Sequence, residues 1–377
     1  VKIAFVTLGY RPFRTSGLDV SGERLVEGLL RADHGVTVIA GSRGRVEEIH
    51  CHPALNILRI ALGPTDWIGF GYQAAKTLNR SGTFDVVHFW DVHFAWAYRQ
   101  NYVASLQHSF RQRLESIGGF SASPAWLNRF LYYTAARYMA EIPAIRRSRG
   151  LIAGSSATRA EFIANYPIDP ERVGVARHGV DTNFFKATAE AAEVRQRLGI
   201  GPDEPVILFV GFVTPRKGLE FLVEALPFIK PTPKLVLAGL WRNQAYRHRI
   251  MDGLGARKSQ VIEAGFVSDA LMPAYYSMAD VYVSSTLLEG FGLPIAEAMA
   301  CETPVVTSEA GSTAEVVGPG GIVVPARDPR SLAVAVSSLL QDESLRKEMG
   351  SRGRKHIVAE FSLERMLQDI LAAYERL

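Results

Sequence analysis

Short β-branched apolar runs alternate along this chain with segments whose apolar residues recur at helical spacing. In the first half, residues 2–8 read as a strand, a Gly-containing loop follows, and residues 23–31 read as an amphipathic helix. Further strands are predicted at 36–40, 57–60, 85–89, 102–107, 151–153 and 173–176, with one long helical stretch over 124–147 and loops over 63–71 and 111–125. The second half restarts the same grammar. A helix over 189–198 stops at Gly199, glycine being the usual left-handed helix terminator. Strand 206–210 then runs straight into Gly211, and strands follow at 235–238, 261–264, 281–284, 305–307 and 322–324. A last helix over 362–377 has an apolar face (Met366, Ile370, Leu371, Tyr374) that suits either half. Such alternation is the signature of parallel sheets covered by helices. The predicted fold is α/β, with two Rossmann-like doubly wound domains in tandem, residues 1–185 and residues 186–361. Ligands of such sheets sit at the carboxyl ends of strands, so two facing domains are expected to enclose a central cleft.

Composition narrows the picture. At 377 residues the chain exceeds the roughly 250–300 at which a single core stops growing. With 47% hydrophobic and 21% charged residues it is a globular chain, not a disordered or fibrous one. No run approaches the ~18 apolar residues of a membrane span. The first six residues carry no charged leader or small-residue cleavage site, so no signal peptide is expected. Cys51 and Cys301 have no CxxC or His-rich surroundings and read as free thiols of a reducing compartment, which predicts a cytoplasmic location. The net charge of +4 is uneven: residues 1–185 hold 21 Lys and Arg against 15 Asp and Glu, and the basic residues bunch between Arg99 and Arg159. That stretch reads as a solvated helix face, with an anionic acceptor or a peripheral membrane contact as the functional alternatives. Nothing in it matches a nucleic-acid-binding module.

The most informative stretch is 284–300. An apolar strand enters a loop holding Glu289, Gly290 and Gly292, and Pro294 opens a helix. Proline is favoured at the first helical position, and the glycines let backbone N–H groups approach a ligand closely. The helix N-terminus then offers unpaired donors and a partial positive charge, an anion site. Glu297 is predicted in the first turn, where its two oxygens can accept from the neighbouring hydroxyls of a ribose. Glu289 stays in the loop, free to face a sugar.

These residues resemble the hallmark of the retaining family 4 glycosyltransferases of the GT-B fold, relatives of glycogen synthases and phosphatidylinositol mannosyltransferases. That hallmark is a Glu, seven residues and a second Glu in a Gly-Phe-Gly-Leu-Pro context, as Glu289 to Glu297 has it. The resemblance covers nearly the whole chain. Residues 206–218 look like the strand and diphosphate loop, Gly211 included, that open the C-terminal domain, and 265–285 like the elements framing the nucleotide base. Arg177-His178-Gly179-Val180-Asp181 resembles the turn before the interdomain linker. The resemblance implies a metal-independent hexosyl transfer with retention, from a UDP- or GDP-linked sugar to a hydroxyl of a small molecule, glycan or lipid. It implies no cofactor besides that nucleotide-sugar co-substrate. Glu297 would bind the donor ribose, Glu289 would face the transferred sugar beside backbone donors of Phe291, Gly292 and Leu293, and Lys217 would contact the phosphates. Two departures stand out. Where the family commonly has Gly-Arg this chain has Gly211-Phe212, which leaves nearby Arg216 as either the substitute diphosphate arginine or a surface group, and Glu302 stands where glycine is common.

In the first half the resemblance is looser. Ser16-Gly17 resembles a glycine turn that faces the donor diphosphate, and His108, after predicted strand 102–107, resembles a histidine pointing at the transferred sugar. The run His88-Phe89-Trp90-Asp91-Val92-His93 has the composition of a metal cluster. On a strand, however, two histidines an odd number apart face opposite sides, so an acceptor-side strand end is preferred and no metal site is predicted. No Asp-x-Asp occurs. The leaving diphosphate is therefore expected to be neutralised by Lys217, Arg216 and the helix N-terminus. No carboxylate reads as a covalent nucleophile, and front-side transfer assisted by the leaving phosphate is the working expectation. A sugar-nucleotide epimerase and a non-catalytic nucleotide-sugar-binding protein are the competing classes. Neither Gly9 nor Gly211 opens a dinucleotide loop, which disfavours an NAD-dependent oxidoreductase.

Overall fold

The structure, a computed structural model, describes residues 1–13, 17–43, 52–62, 66–116 and 124–376. Ser16 and Cys51 lie outside the described residues, as do 63–65 and 117–123 of the two expected loops. The chain divides into two compact units, Val1–Gly179 with Leu363–Leu377, and Val180–Ser362.

The first unit carries seven parallel strands: β1 (Lys2–Thr7), β2 (Gly35–Ser42), β3 (Leu55–Ala61), β4 (Val86–Phe89), β5 (Val103–Leu106), β6 (Gly150–Ala153) and β7 (Val173–Val175). They lie in the order β3-β2-β1-β4-β5-β6-β7. Its helices are α1 (Gly17–Arg31), α2 (Asp66–Leu78), α3 (Phe110–Ser116), α4 (Pro124–Ala136), α5 (Ile142–Arg147) and α6 (Ser156–Asn165). Alternation along β1 feeds two cores. Ala4 and Val6 pack with Phe70, Ile145 and Phe162 on one face, and Ile3 and Phe5 with Leu25, Leu29 and Met366 on the other. With both faces covered, a strand can be apolar throughout.

The second unit has six parallel strands: β8 (Val206–Val210), β9 (Lys234–Ala238), β10 (Val261–Gly265), β11 (Val281–Ser284), β12 (Val305–Ser308) and β13 (Gly321–Val324), in the order β10-β9-β8-β11-β12-β13. Its helices are α7 (Ala191–Arg197), α8 (Leu219–Ala225), α9 (Gln244–Gly253), α10 (Met272–Ser277), α11 (Leu293–Ala300), α12 (Thr313–Val317), α13 (Pro329–Gln341) and α14 (Glu343–Glu360). The last helix, α15 (Leu363–Glu375), belongs to the first unit, where Leu363, Met366 and Ile370 enter the α1 core. Each sheet therefore has one place where the chain leaves neighbouring strands in opposite directions, between β1 and β4 and between β8 and β11. Loops diverging there open the crevice in which doubly wound sheets hold ligands.

Three local readings need correction. Helix α1 begins at Gly17, six residues before the expected start, so Gly17 is a helical residue and not part of a turn ahead of the helix. The expected loops over 63–71 and 111–125 are helical in part, as α2, α3 and the start of α4. One glycine of α2 serves packing: a Cβ on Gly71 would stand 2.6 Å from Trp96 Nε1. Tertiary contact overrides local propensity here. The stretch 124–147 is not one helix, because a π turn, Arg137–Glu141, separates α4 from α5. Pro143 has no N–H to give the carbonyl four residues back, and just before it the Ile142 N–H reaches the Arg137 carbonyl, five residues back.

Candidate functional site

The loops after β8 and β11 are tied together before any side chain is considered. The Leu287 N–H donates to the Arg216 carbonyl at 2.9 Å, and the Ser285 and Thr286 hydroxyls donate to the carbonyls of Lys217 and Arg216, both at 3.3 Å. Gly218 makes this approach possible, since its φ is +61° and a Cβ there would stand 2.1 Å from the Ser285 oxygen. On the other side the loop after β12 grips residues 289–291. Gly311 (φ +62°) has room for no Cβ against the Glu289 oxygen, and the Ser312 hydroxyl donates to the Gly290 and Phe291 carbonyls at 2.8 and 3.1 Å. Three loops at strand carboxyl ends thus fix one short segment.

That scaffold brings Lys217, Arg216 and Glu289 together. Lys217 Nζ is ion-paired to Glu289 Oε2, and both side chains are largely buried. An Arg216 guanidinium nitrogen lies 4.0 Å from Glu289 Oε1 and also donates to the Leu288 carbonyl. Gly292 caps α11 in a left-handed conformation, Leu293 is the first helical residue, and the leading N–H groups of a helix have no partner inside it. Phe291 contributes backbone only, because its ring is buried 5.6 Å from that of Phe361. Glu297 is the fifth residue of α11, in the second turn and not the first, as α11 starts at Leu293. Its Oε2 accepts from the Tyr276 hydroxyl at 2.8 Å. Burial first, and then Glu297, push the Tyr276 hydroxyl well above its ordinary pKa, so it stays a donor. Buried Tyr282 is raised by desolvation and then by both Glu289 and Glu297. Phe212 is half-exposed beside Gly211, and the Arg242 guanidinium sits 3.7 Å from its ring centroid. A bridge between Val213 and Trp241 holds those two loops side by side.

In the first unit a cavity of about 400 Å³ opens at the β1/β4 divergence. Its wall includes Thr7 and Leu8 from β1 and its loop, Asp19 from α1, and Trp90, Asp91 and His93 beyond β4. Sequence reasoning put His93 on a strand, but it lies in a 3₁₀ turn, Val92–Ala95, capped by Asp91. Strand alternation therefore does not apply, and His88 and His93 serve different ends. His88 is wholly buried between Tyr374 and Ser105, both at 2.8 Å, and burial lowers its pKa to about 3. For His93 burial also acts downward. Asp91 Oδ1 at 2.6 Å and Glu141 Oε1 at 2.9 Å outweigh it and raise the pKa to about 9. Glu141, fully buried, also accepts from the Phe110 N–H at 3.0 Å and from the Tyr166 hydroxyl. The Asp-x-His spacing was visible in the sequence, whereas Glu141 lies 48 residues away and carried no signal. His108 sits half-buried two residues past β5, and Gly17 at the exposed start of α1. Among the described residues no three His, Cys, Asp or Glu are grouped as metal ligands, and no helix is long and apolar enough to cross a membrane.

Residues 15–184 match the family described as Glycosyltransferase Family 4, and residues 190–356 match Glycosyl transferases group 1. The α-maltose-1-phosphate synthase of Mycolicibacterium smegmatis is 30% identical over 283 residues, 70% of this chain and 69% of that protein. The chain belongs to the group 1, family 4 glycosyltransferases. An uncharacterized glycosyltransferase of Methanocaldococcus jannaschii is 27% identical over all of this chain and 98% of its own length. Among solved structures, sucrose-phosphate synthase from Thermosynechococcus elongatus superposes with a TM-score of 0.81 at 22% identity, covering 100% of this chain and 98% of that one. Anabaena HepE in complex with UDP-glucose superposes with a TM-score of 0.79 at 20% identity, covering all of both chains. These likenesses establish the GT-B fold of this glycosyltransferase, whose two sheets of seven and six parallel strands are those described above.

Proposed function

We propose that this glycosyltransferase moves a hexose-like sugar from a nucleoside diphosphate to an acceptor hydroxyl with retention of configuration and without a metal ion. The observation that carries this reading is the Lys217–Glu289 pair beside the start of α11, at the β8/β11 divergence. A cation, a helix N-terminus and two carboxylates within one segment meet the three parts of a nucleotide sugar. Lys217 and the first N–H groups of α11 stabilise the leaving diphosphate, Glu289 takes a hydroxyl of the transferred sugar, and Glu297, held by Tyr276, accepts from the ribose. The bond from the anomeric carbon to the phosphate oxygen breaks. A bond to the acceptor oxygen forms on the same face, and the acceptor proton passes to the leaving phosphate. His108 keeps the sugar-facing role that the family resemblance implies. The complexes of HepE with UDP and with UDP-glucose support a uridine donor, with a guanosine donor as the alternative. The exposed Leu127, Phe130 and Leu131 of α4, beside Arg129, support a peripheral membrane contact.

A thermal-shift panel of UDP, GDP, ADP and TDP, each with and without EDTA, tests the donor half. The expected result is a shift for one nucleotide that EDTA does not change and Glu297→Ala removes. A shift abolished by EDTA would refute the metal-free site, and no shift with any nucleotide would refute the donor reading.

A further inference from the structure

Through α4, the π turn and α5 the chain is apolar on two sides. The inner side, with Ala136, Ala140, Ala144 and Ile145, is buried in the first unit. On the outer side Leu127, Leu131, Ala135 and Tyr138 follow one another at helical spacing, flanked by Phe130 and Met139. All six are exposed, Tyr138 at 61% and Met139 at 76%. A surface helix ordinarily turns polar and charged residues outward. Here an apolar stripe about 18 Å long, at 1.5 Å per residue, faces solvent instead.

Charge surrounds this stripe without entering it. Over 124–149 the acidic residue is Glu141 alone, and it is fully buried against His93. The same stretch holds five arginines. Arg129 is exposed near the start of the stripe, and Arg146, Arg147 and Arg149 are exposed beyond its end. Arg99 joins them there: Arg99 and Arg147 donate to one acceptor, the Trp96 carbonyl, at 3.2 and 2.8 Å. Among the described residues no carboxylate pairs with Arg99, Arg146, Arg147 or Arg149. Arg149 leads straight into β6, so this cluster lies at the amino end of the sheet, the opposite end from the crevice.

We propose that α4, the π turn and α5 lie in the plane of an anionic lipid surface, along a flank of the first unit, with the stripe at the boundary of headgroups and acyl chains and the arginines on lipid phosphates. This names the partner of the peripheral contact given above and rests on that reading, not on the transfer reaction. Three features select this occupant. An apolar stripe bordered by arginine is the pattern of a helix lying in a membrane interface, and tyrosine suits that boundary because its ring is apolar and its hydroxyl wet. Guanidinium groups meet phosphate with two parallel hydrogen bonds, and each basic residue near an anionic surface adds roughly fivefold to binding. A second copy of this chain fits poorly. A two-fold contact presents the same patch from both sides, which sets arginines against arginines with no carboxylate between them. Among the described residues no helix is long and apolar enough to cross a bilayer, so this one lies on the surface.

Co-sedimentation of the full chain with vesicles tests the claim, using phosphatidylcholine alone and a two-to-one mixture of phosphatidylcholine and phosphatidylglycerol. Expected are binding to the mixed vesicles that weakens as salt is raised, and binding to phosphatidylcholine that is weaker by about tenfold or more. Arg146→Gln combined with Arg147→Gln should lose about tenfold or more on the mixed vesicles. Leu131→Asp and Met139→Asp, each placing a carboxylate in the stripe, should lose as much, and all these variants should unfold at the parental urea midpoint. Equal binding to both vesicles would overturn the anionic partner and leave the peripheral contact standing. Binding to the mixed vesicles that no variant changes would overturn this surface, since the contact would then lie elsewhere. Binding to neither vesicle would refute both readings. A dimer in sedimentation velocity that Leu131→Asp dissociates would assign the stripe to a second copy and overturn the proposal.

Discussion

Lys217 Nζ and Glu289 Oε2, 72 residues apart in sequence, meet in a largely buried ion pair between the loops that follow β8 and β11. Each partner neutralises the other, and under the proposed function the pair sets the cation assigned to the diphosphate against the carboxylate assigned to the sugar. Removing Glu289 therefore does two things at once. Glu289→Ala is expected to lower kcat by about 10²–10³ while leaving UDP affinity equal to or tighter than that of the parent, since Lys217 is released. Titration calorimetry beside steady-state kinetics reads both. Equal losses of rate and affinity would contradict this division of roles between the two side chains.

Lys217→Ala is expected to lose about 2.7–4 kcal/mol of transition-state stabilisation, the range for one preorganised donor. It also leaves Glu289 without its cation. Near-parental turnover in this variant would remove Lys217 from the site.

The Arg242 guanidinium over Phe212 puts a cation next to the position where the family arginine is missing. Arg242→Ala is expected to weaken UDP binding about tenfold, the effect of losing one charged contact of about 1.4 kcal/mol. Adding Phe212→Arg to that variant should restore it. Unchanged affinity in Arg242→Ala would mean that the stacked pair is only a surface feature.

Three buried histidines set opposite pH limbs. His88 and His178, pushed down by burial to about 3 and about 4, bind a proton more readily in the unfolded chain. Their contribution is complete above the ordinary value of about 6.5 and falls as the pH drops below it. His93, raised to about 9, behaves in reverse: its contribution is complete below about 6.5 and is lost as pH rises through about 9. Urea midpoints between pH 5 and 9.5 should therefore peak near pH 6.5, with the acid limb steeper. His93→Gln should flatten the alkaline limb only. An alkaline limb that persists in that variant would dissociate it from His93.

Glu302 has a φ of +63°, in the left-handed region, which costs a non-glycine residue roughly 1–2 kcal/mol. This accounts for glycine being common at the position in the family. Glu302→Gly relieves the strain but loosens the unfolded chain by about 0.4–1 kcal/mol, so a net gain of between about 0 and about 1.6 kcal/mol is expected in denaturant unfolding. A clear loss would show that the Arg354 pairing of Glu302, at 3.9 Å, matters more than the backbone.

The thirteen strands of the described residues were all legible in the sequence, because each is a short run rich in apolar residues between turn residues, and that signal is local. The Glu289–Glu297 segment was legible for the same reason: its loop, glycines and helix start occupy one stretch of chain. Helix α2 was hidden in part because Gly71 obeys packing against Trp96, which no local pattern reveals. The π turn before Pro143 was hidden because it corrects a helix that the pattern alone would continue. Only the tertiary structure decided which side chains meet. The sheet order that sets β8 beside β11 brought Lys217 to Glu289, and the β1/β4 divergence with the π turn brought Glu141 to His93. Periodicity encodes which face of an element is buried, whereas pairing across loops depends on strand order, and strand order is a property of the whole packed chain.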